Sequence, residues 1–234
     1  MATHILVVDD ETAIADLVEV YLKNEGFTIH KFYNASDALA CVRTTRLNLA
    51  VLDVMLPDMD GFTLCQRIRE DHLFPIIMLT AKVEDMDKIM GLTLGADDYI
   101  TKPFNPIEVI ARVKSQLRRY TSLGGKQGGG EANPALLTNG GIALDDGAKS
   151  VTVDGEGGSL TPIEYNILLL LMKNPGRVFS TSQIYELVWN DPSLSSENTV
   201  AVHIRHLREK LEIDPANPRY IKVVWGLGYK MEKV

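Results

Sequence analysis

The sequence has little that could anchor the chain in a membrane or cross-link it through disulfides. Its longest unbroken apolar run, residues 167–172, is far shorter than the ~20 residues needed to span a bilayer. Residues 1–4 lead directly into a strand pattern and do not resemble a signal peptide. Only two cysteines occur, Cys41 and Cys65, both inside predicted helices and without metal-binding spacing. We therefore expect a cytoplasmic protein with no membrane segment.

Charge is distributed unevenly along the chain, although the formal net charge of −7 makes the protein acidic overall. Residues 1–120 carry 13 Lys and Arg against 18 Asp and Glu, whereas residues 196–234 carry 7 against 5. The acidic average therefore does not exclude a nucleic-acid partner for the C-terminal part. A hydrophobic fraction of 45% is sufficient for packed cores and excludes wholesale disorder.

The first 120 residues alternate short apolar or β-branched runs with helical patterns. The predicted strands are Ile5–Val8, Thr28–His30, Leu49–Leu52, Ile76–Leu79 and Tyr99–Ile100, and helices are expected to begin near Glu11, Ser36, Phe62, Glu84 and Asn105. Five such units predict a doubly wound α/β domain with a five-stranded parallel sheet, covered on both faces. Residues 121–134 lose this periodicity and are rich in glycine, so we expect a flexible linker there.

Residues 135–234 have the pattern of a smaller α+β domain. Turn sequences at 139–141, 146–147 and 154–155 predict a small antiparallel sheet. Three helical patterns follow, and the first is opened by Thr161 as N-cap with Glu164 three positions later. The others cover residues 180–188 and 196–213, and residues 220–231 predict a terminal hairpin. This combination is typical of a winged-helix domain.

Polar side chains follow four of the predicted parallel strands. They are Asp9 and Asp10, Asp53, Thr80 and Lys102. Because the carboxyl ends of parallel strands share one edge of a sheet, we expect these residues to converge, although each alone is typical of a turn. Three carboxylates repel one another unless a cation lies between them, and oxygen ligands without His or Cys favour Mg²⁺. With a hydroxyl and an ammonium nearby, the cluster predicts a pocket for a phosphoryl group on one carboxylate. The following Lys102-Pro103 peptide is a candidate cis bond.

These motifs resemble a known family. They are Asp9-Asp10, Asp53-Val54-Met55-Leu56-Pro57 with Gly61, Thr80-Ala81 and Lys102-Pro103-Phe104. They are similar to the receiver domain of bacterial two-component response regulators, and residues 95–99 and 108–119 resemble the OmpR/PhoB subfamily in particular.

The resemblance implies specific roles for these residues. Asp53 would accept phosphate from a sensor histidine kinase. Asp9, Asp10 and Asp53, with the backbone carbonyl of Met55, would hold Mg²⁺. Thr80 and Lys102 would bind the phosphoryl oxygens, and Tyr99 would move inward together with the threonine.

The last predicted helix has an apolar and a polar side. Val200, Ile204, Leu207 and Leu211 form one buried stripe, and the opposite face carries Val202, Arg205, His206 and Glu209. A helix with one apolar, buried side and one basic, exposed side is suited to the major groove of DNA. We expect Arg205 and His206 to contact bases, and His203, Arg208 and Lys210 to contact phosphates; an ordinary solvated face is the alternative. The two histidines also suggest a metal pair, but no further ligand is near them in the sequence.

Residues 199–208 and 226–229 resemble the recognition helix and wing of OmpR/PhoB effector domains. Trp225 stands where many members have arginine, so Lys222 or Lys230 is expected to replace that phosphate contact. Residues 223–230, with the helix, look most like VanR-type regulators of glycopeptide resistance. The resemblance implies promoter DNA with paired half-sites and RNA polymerase as partners, and activation of transcription.

We also expect phosphorylation to drive a symmetric homodimer. Its face would be built from the predicted helices near residues 84 and 105 and the strand between them, where charges of both signs occur. These charged residues are Lys88, Asp97, Asp98, Glu108, Arg112 and Arg119.

Two other functions compete with this interpretation. A Mg²⁺-dependent phosphatase with Asp53 as nucleophile usually has a second acid two residues later, where Met55 stands here. A signalling adaptor would bind protein through its C-terminal domain, and its binding would lack the salt dependence of duplex DNA. We therefore expect a regulator that accepts phosphate and is not an enzyme.

Overall fold

The computed structural model describes residues 2–81, 95–124, 136–189 and 197–234, without the side chains of 119–124 and 197–198. The chain divides into two compact units, residues 1–120 and 121–234. In the parts of the chain given by these ranges, no helix is both long enough and apolar enough to cross a membrane.

The first unit is a five-stranded parallel sheet with helices on both faces. Its strands are β1 (His4–Val8), β2 (Thr28–Phe32), β3 (Leu49–Asp53), β4 (Ile76–Ala81) and β5 (Asp98–Lys102). Its described helices are α1 (Thr12–Asn24), α2 (Ala35–Thr44), α3 (Gly61–Arg69) and α4 (Pro106–Gly124). The strand order is β2-β1-β3-β4-β5 and every neighbouring pair is parallel, which confirms the predicted doubly wound fold. The helix expected near residue 84 falls in 82–94, outside the described residues.

The side chains of β1 alternate between the two faces of the sheet, so this strand contributes to two hydrophobic cores. Ile5 and Val7 pack with α1 and α4, whereas Leu6 and Val8 point to the opposite face and pack with α2 and α3. All four side chains are fully buried. A strand covered on both faces needs apolar residues at every position, which is the near-continuous pattern seen in the sequence.

The second unit is a winged-helix domain, as expected. A four-stranded antiparallel sheet holds β6 (Leu136–Asn139), β7 (Ile142–Asp145), β8 (Ser150–Val153) and β9 (Glu156–Gly158). Three helices follow, α5 (Pro162–Met172), α6 (Thr181–Trp189) and α7 (Glu197–Leu211), and the hairpin of β10 (Ile221–Val224) and β11 (Gly228–Met231) ends the unit. The capping box predicted at Thr161 and Glu164 is present at the start of α5.

The expected linker begins at residue 121, which is also where the chain divides into its two units. Helix α4 continues to Gly124, because residues 121–123 contain no glycine or proline that would end it. The remaining linker residues, from 125 onward, lie outside the described part of the chain.

Candidate functional site

The three predicted carboxylates meet at the carboxyl edge of the parallel sheet. Oxygens of Asp9, Asp10 and Asp53 all lie within 4.8 Å of one another. Asp9 and Asp53 are buried at the ends of β1 and β3, whereas Asp10 is exposed at the rim. The geometry therefore gives an acidic pocket with one side open to solvent.

Lys102 joins two of these carboxylates. Its Nζ lies 2.9 Å from Asp9 Oδ2, 3.1 Å from Asp53 Oδ1 and 3.3 Å from Glu11 Oε1. The Lys102-Pro103 peptide is cis, as the sequence suggested. Sequence reasoning missed Glu11, whose position directly after the two aspartates was the available signal, and whose backbone N–H donates to Asp9 Oδ1 at 3.0 Å.

Electrostatics in the pocket favour an additional positive charge. Burial raises the pKa of Asp53 to about 6, and the neighbouring Asp9 charge adds to this, while Lys102 opposes it. Burial likewise raises the pKa of Asp9 despite its contact with Lys102. One ammonium thus leaves the carboxylates incompletely neutralised. A donor set made only of carboxylate oxygens, open at one side, fits Mg²⁺, which keeps several waters.

Three further predicted site residues differ in how far they are exposed to solvent; they are Thr80, Tyr99 and Met55. Thr80 follows Leu79, the register partner of Asp53, and its buried hydroxyl donates to the carbonyl of Ala81 at 3.0 Å. Tyr99 is half-buried and packs against the core beneath α2 and α3. Met55 is an exposed side chain in the loop after Asp53. Thr80 thus lies on the strand next to β3, with its hydroxyl bonded to Ala81 and not to Asp53.

The loop after Asp53 is held tightly at both ends. A Cβ at Gly61 would lie 1.9 Å from the backbone carbonyl oxygen of Asp53, so only glycine fits there. The Gly61 N–H also donates to the Val54 carbonyl at 2.8 Å. Asp58 accepts hydrogen bonds from the N–H groups of Ala35 and Ser36, which attaches the loop to the start of α2.

The structure corrects the proposed dimer face at Asp97, and it also buries Asp98, which is only 4% exposed and is paired with Arg112. Asp97 is fully buried, with Oδ2 2.6 Å from Arg69 and accepting from the Ile76 N–H at 2.8 Å, so it is wrong as a surface residue. Its neighbour Asp98 points the other way, because side chains of an extended chain alternate. Arg112 Nη1 contacts Asp98 at 3.0 Å, and its Nε contacts Glu108, also at 3.0 Å. Lys88 lies outside the described residues, as does the side chain of Arg119.

Helix α7 is buried over more of its surface than the sequence predicted. The apolar stripe is confirmed, since Val200, Ile204, Leu207 and Leu211 are all buried. Arg205, with 65% of its side chain exposed, and Glu209 face solvent as expected. The prediction that Val202, His203 and His206 are exposed is wrong, because their exposures are 6%, 1% and 9%.

Contacts from α5 and α6 explain the buried histidines. The His203 ring lies 5.5 Å from the Trp189 ring, and His206 Nδ1 lies 3.6 Å from Glu164 Oε1. Lys210 contacts the other oxygen of the same carboxylate at 2.6 Å. Two helices therefore cover the side of α7 that the sequence pattern left open, and Lys210 is bound to the protein instead of being free for a phosphate.

Arg208 connects α7 to the wing. Its Nε and Nη2 donate to the Ile221 carbonyl of β10 at 3.0 and 2.8 Å, so the expected phosphate contact of Arg208 is wrong in this geometry. Lys222 and Lys230 are register partners on the hairpin and are half-buried. Trp225 at the hairpin tip is 88% exposed. Arg205 and Glu209 of the helix and Trp225 of the hairpin thus face solvent.

Comparison with known proteins gives the same two units. Residues 5–114 match the response regulator receiver domain family, and residues 155–231 match the family described as transcriptional regulatory protein, C terminal. The regulatory protein VanR of Enterococcus faecium is 50% identical over 234 residues, covering 100% of both chains. The DNA-binding response regulator MtrA of Mycolicibacterium smegmatis is 41% identical, covering 98% of this chain and 97% of that protein.

A solved structure agrees with these relatives. The response regulator DrrB, an OmpR/PhoB homolog of Thermotoga maritima, is 35% identical with a TM-score of 0.52, covering 99% of this chain and 100% of that one. The chain therefore belongs to the OmpR/PhoB family of two-component response regulators, with a receiver domain followed by a winged-helix DNA-binding domain.

Proposed function

We propose that Asp53 accepts a phosphoryl group from a sensor histidine kinase and that this event controls transcription. The observation that carries the proposal is the contact of Lys102 with both Asp9 and Asp53 in a buried acidic pocket. Asp53 is buried at the end of β3, and the raised pKa of its carboxyl reflects a charge that the pocket does not fully balance. Such a pocket favours added positive charge and a ligand with oxygens that Lys102 can bind.

The reaction is a phosphoryl transfer between two side chains. An oxygen of the Asp53 carboxylate attacks the phosphorus of a phosphohistidine on the kinase, the P–N bond breaks, and the histidine nitrogen leaves with the electron pair. When bound, Mg²⁺ held by Asp9, Asp10, Asp53 and the Met55 carbonyl supplies positive charge that offsets the phosphoryl oxygens. Lys102 moves from the carboxylates to a phosphoryl oxygen. The Thr80 hydroxyl turns from Ala81 to another, and Tyr99 follows it inward.

Phosphoryl labelling tests this assignment directly. Incubation with acetyl phosphate and Mg²⁺ should add one phosphoryl group to the unaltered chain by mass spectrometry, and chelation of the metal should abolish labelling. Asp53→Asn should remove it, whereas Asp58→Asn, in the adjacent loop, should retain it. Equal labelling of the Asp53→Asn variant would refute the assignment.

We further propose that the phosphorylated receiver forms a symmetric homodimer. Asp98, Glu108 and Arg112 form a charged network on β5 and α4, and in a dimer these groups can exchange partners with the second copy. Glu108→Arg should prevent dimer formation in sedimentation and leave labelling intact. Glu70→Arg, an exposed residue after α3, is the matched control and should dimerise normally. A dimer of unchanged strength in Glu108→Arg would exclude this surface.

We propose that the winged-helix domains of two associated chains bind two half-sites of promoter DNA, one half-site each. Arg205 offers an exposed guanidinium for a base edge on α7, and Lys222 and Lys230 offer ammonium groups on one face of the wing. Arg205→Ala should relax preference at one base pair, at a cost of about 1–3 kcal/mol. Lys222→Ala should weaken all duplexes alike and lower the salt slope by about one. Identical effects of both variants on specific and random DNA would reject base reading by α7.

The proposal for the regulated genes rests on the resemblance to VanR. We propose that the protein activates transcription of glycopeptide-resistance genes by contact with RNA polymerase at the promoter. Because bacterial promoter DNA lies in the cytoplasm, the protein acts there. Sequencing of the DNA fragments recovered with the phosphorylated chain, compared with those from Asp53→Asn, tests the target: enrichment of unrelated promoters would refute it.

A further inference from the structure

Among the residues that the structure describes, one cluster of metal-ligating side chains lies outside the acidic pocket, within the second unit. The sequence left His203 and His206 without a third ligand, and the structure supplies one in Glu164, at the start of α5. Their ligand atoms all lie within 4.8 Å of one another, and the three residues are buried. We propose that His203, His206 and Glu164 form a binding site for a divalent transition-metal ion of the Zn²⁺ class.

The donor set is suited to such an ion. Two imidazoles and one carboxylate form a three-ligand zinc site whose fourth position stays open to water or another donor. The histidines are three residues apart, so α7 presents both rings to the same side. With metal–ligand bonds of ~2.05 Å, the edge of a tetrahedron is ~3.3 Å. The 3.6 Å between His206 Nδ1 and Glu164 Oε1 is close to that length, so small side-chain rotations complete the site.

The two oxygens of Glu164 have different surroundings. Oε2 accepts from the Thr161 N–H at 2.8 Å and contacts Lys210 Nζ at 2.6 Å, whereas Oε1 faces His206. The capping box thus fixes the carboxylate in place and leaves one oxygen directed at the imidazoles. The Lys210 side chain is 37% exposed, so its ammonium can move into solvent when a cation binds.

The imidazole donors make this cluster unsuitable for Mg²⁺, the ion proposed for the acidic pocket. Mg²⁺ prefers an octahedron of oxygen ligands, whereas imidazole suits Zn²⁺, Cu²⁺ and Ni²⁺. An ion at this cluster bridges the first turn of α5 to the middle of α7. Because the folded state alone presents the three ligands together, binding stabilises the second unit. The proposal concerns this unit alone and does not depend on phosphorylation or DNA binding.

Zn²⁺ titration of the metal-free full chain tests the site. Excess Mg²⁺ is present to occupy the acidic pocket, and calorimetry should find one Zn²⁺ per chain with a rise in thermal stability. His206→Gln and Glu164→Gln should each lower the affinity at least about tenfold. His30→Gln, which alters a histidine pair in the first unit, should retain it, as should Lys210→Met. Co²⁺ should give the visible absorption of a four-coordinate complex in the unaltered chain.

Three outcomes would overturn the proposal. They are no Zn²⁺ binding by the unaltered chain, binding that survives in both Gln variants, and binding lost in His30→Gln, which assigns the ion to the first unit. Circular dichroism in metal-free buffer checks that each variant folds. If His206→Gln does not fold, Glu164→Gln decides the question, because glutamine preserves the hydrogen bonds of a capping box.

Discussion

Replacement of Asp53, the proposed phosphoacceptor, by its neutral isostere asparagine should stabilise the receiver domain above pH 6. The pKa of Asp53 is raised from 3.8 to about 6, chiefly by burial, so the folded chain binds this proton more tightly than the unfolded chain. Stability therefore falls as pH rises from about 4 to about 6 and stays low above that range. A tenfold change in proton affinity corresponds to about 1.4 kcal/mol, so Asp53→Asn should gain about 3 kcal/mol at pH 8 and almost nothing at pH 4.

Hydrogen exchange of β1 and β3 peptides during urea titration reports the first unit separately from the second. The measurement is made from pH 4 to pH 8 in chelator and repeated with excess Mg²⁺. At one hundred times its dissociation constant, a ligand of the folded state stabilises it by about 2.7 kcal/mol. Mg²⁺ should therefore reduce the difference in the free energy of unfolding between the unaltered chain and Asp53→Asn.

Asp58→Asn is a matched control with the opposite sign. Hydrogen bonds from Ser36 and Ala35 lower the pKa of Asp58 to about 2, so its ionised form stabilises the fold and the asparagine should lose stability at neutral pH. The reasoning on Asp53 is refuted if Asp53→Asn is less stable than the unaltered chain at pH 8. It is also refuted if the difference is independent of pH.

Three further perturbations probe other parts of the molecule. Burial and a neighbouring histidine lower the pKa of His30, so the first unit should lose stability as pH falls through ~6.5, and His30→Gln should remove that slope in the same urea titrations. Gly61→Ala should cost about 1–3 kcal/mol by overpacking and impair phosphoryl labelling, whereas Gly157→Ala, with open space around it, should change neither. Arg208→Met should cost about 1–3 kcal/mol by leaving a carbonyl unsatisfied and should keep the salt slope of DNA binding, in contrast to Lys222→Ala.

The receiver site could be predicted because its geometry follows from local patterns. A run such as Ile5–Val8 identifies a strand buried on both faces, and parallel topology then brings the strand ends to one edge. The strand pattern alone is sufficient to place Asp9, Asp53 and Lys102 together, without knowledge of contacts between distant side chains. The capping box at Thr161 was likewise predictable, since its two partners are three residues apart.

Residues whose environment comes from distant segments could not be placed in this way. Helical periodicity predicts one buried stripe on α7, but the burial of His203 and His206 depends on Trp189 and Glu164, which other helices supply. The charge of Asp97 alone predicts a position at the surface, but its partner Arg69 lies 28 residues earlier in the chain. In each case, the contact that determines the burial of the side chain joins segments that are distant in the sequence. A local sequence pattern gives no information on such a contact.

The bond between Arg208 and Ile221 limits the DNA that the winged-helix domain can bind. Because the guanidinium joins the last turn of α7 to the first strand of the hairpin, it restrains the separation of the helix and the wing. In the DNA complex proposed above, the major-groove bases and the backbone reached by the wing therefore lie at one set distance. Insertion of a single base pair between those two contacts rotates one away from the other, since successive base pairs turn about the duplex axis. Spacing within a half-site is thus determined by the protein, whereas spacing between half-sites depends on how two chains associate.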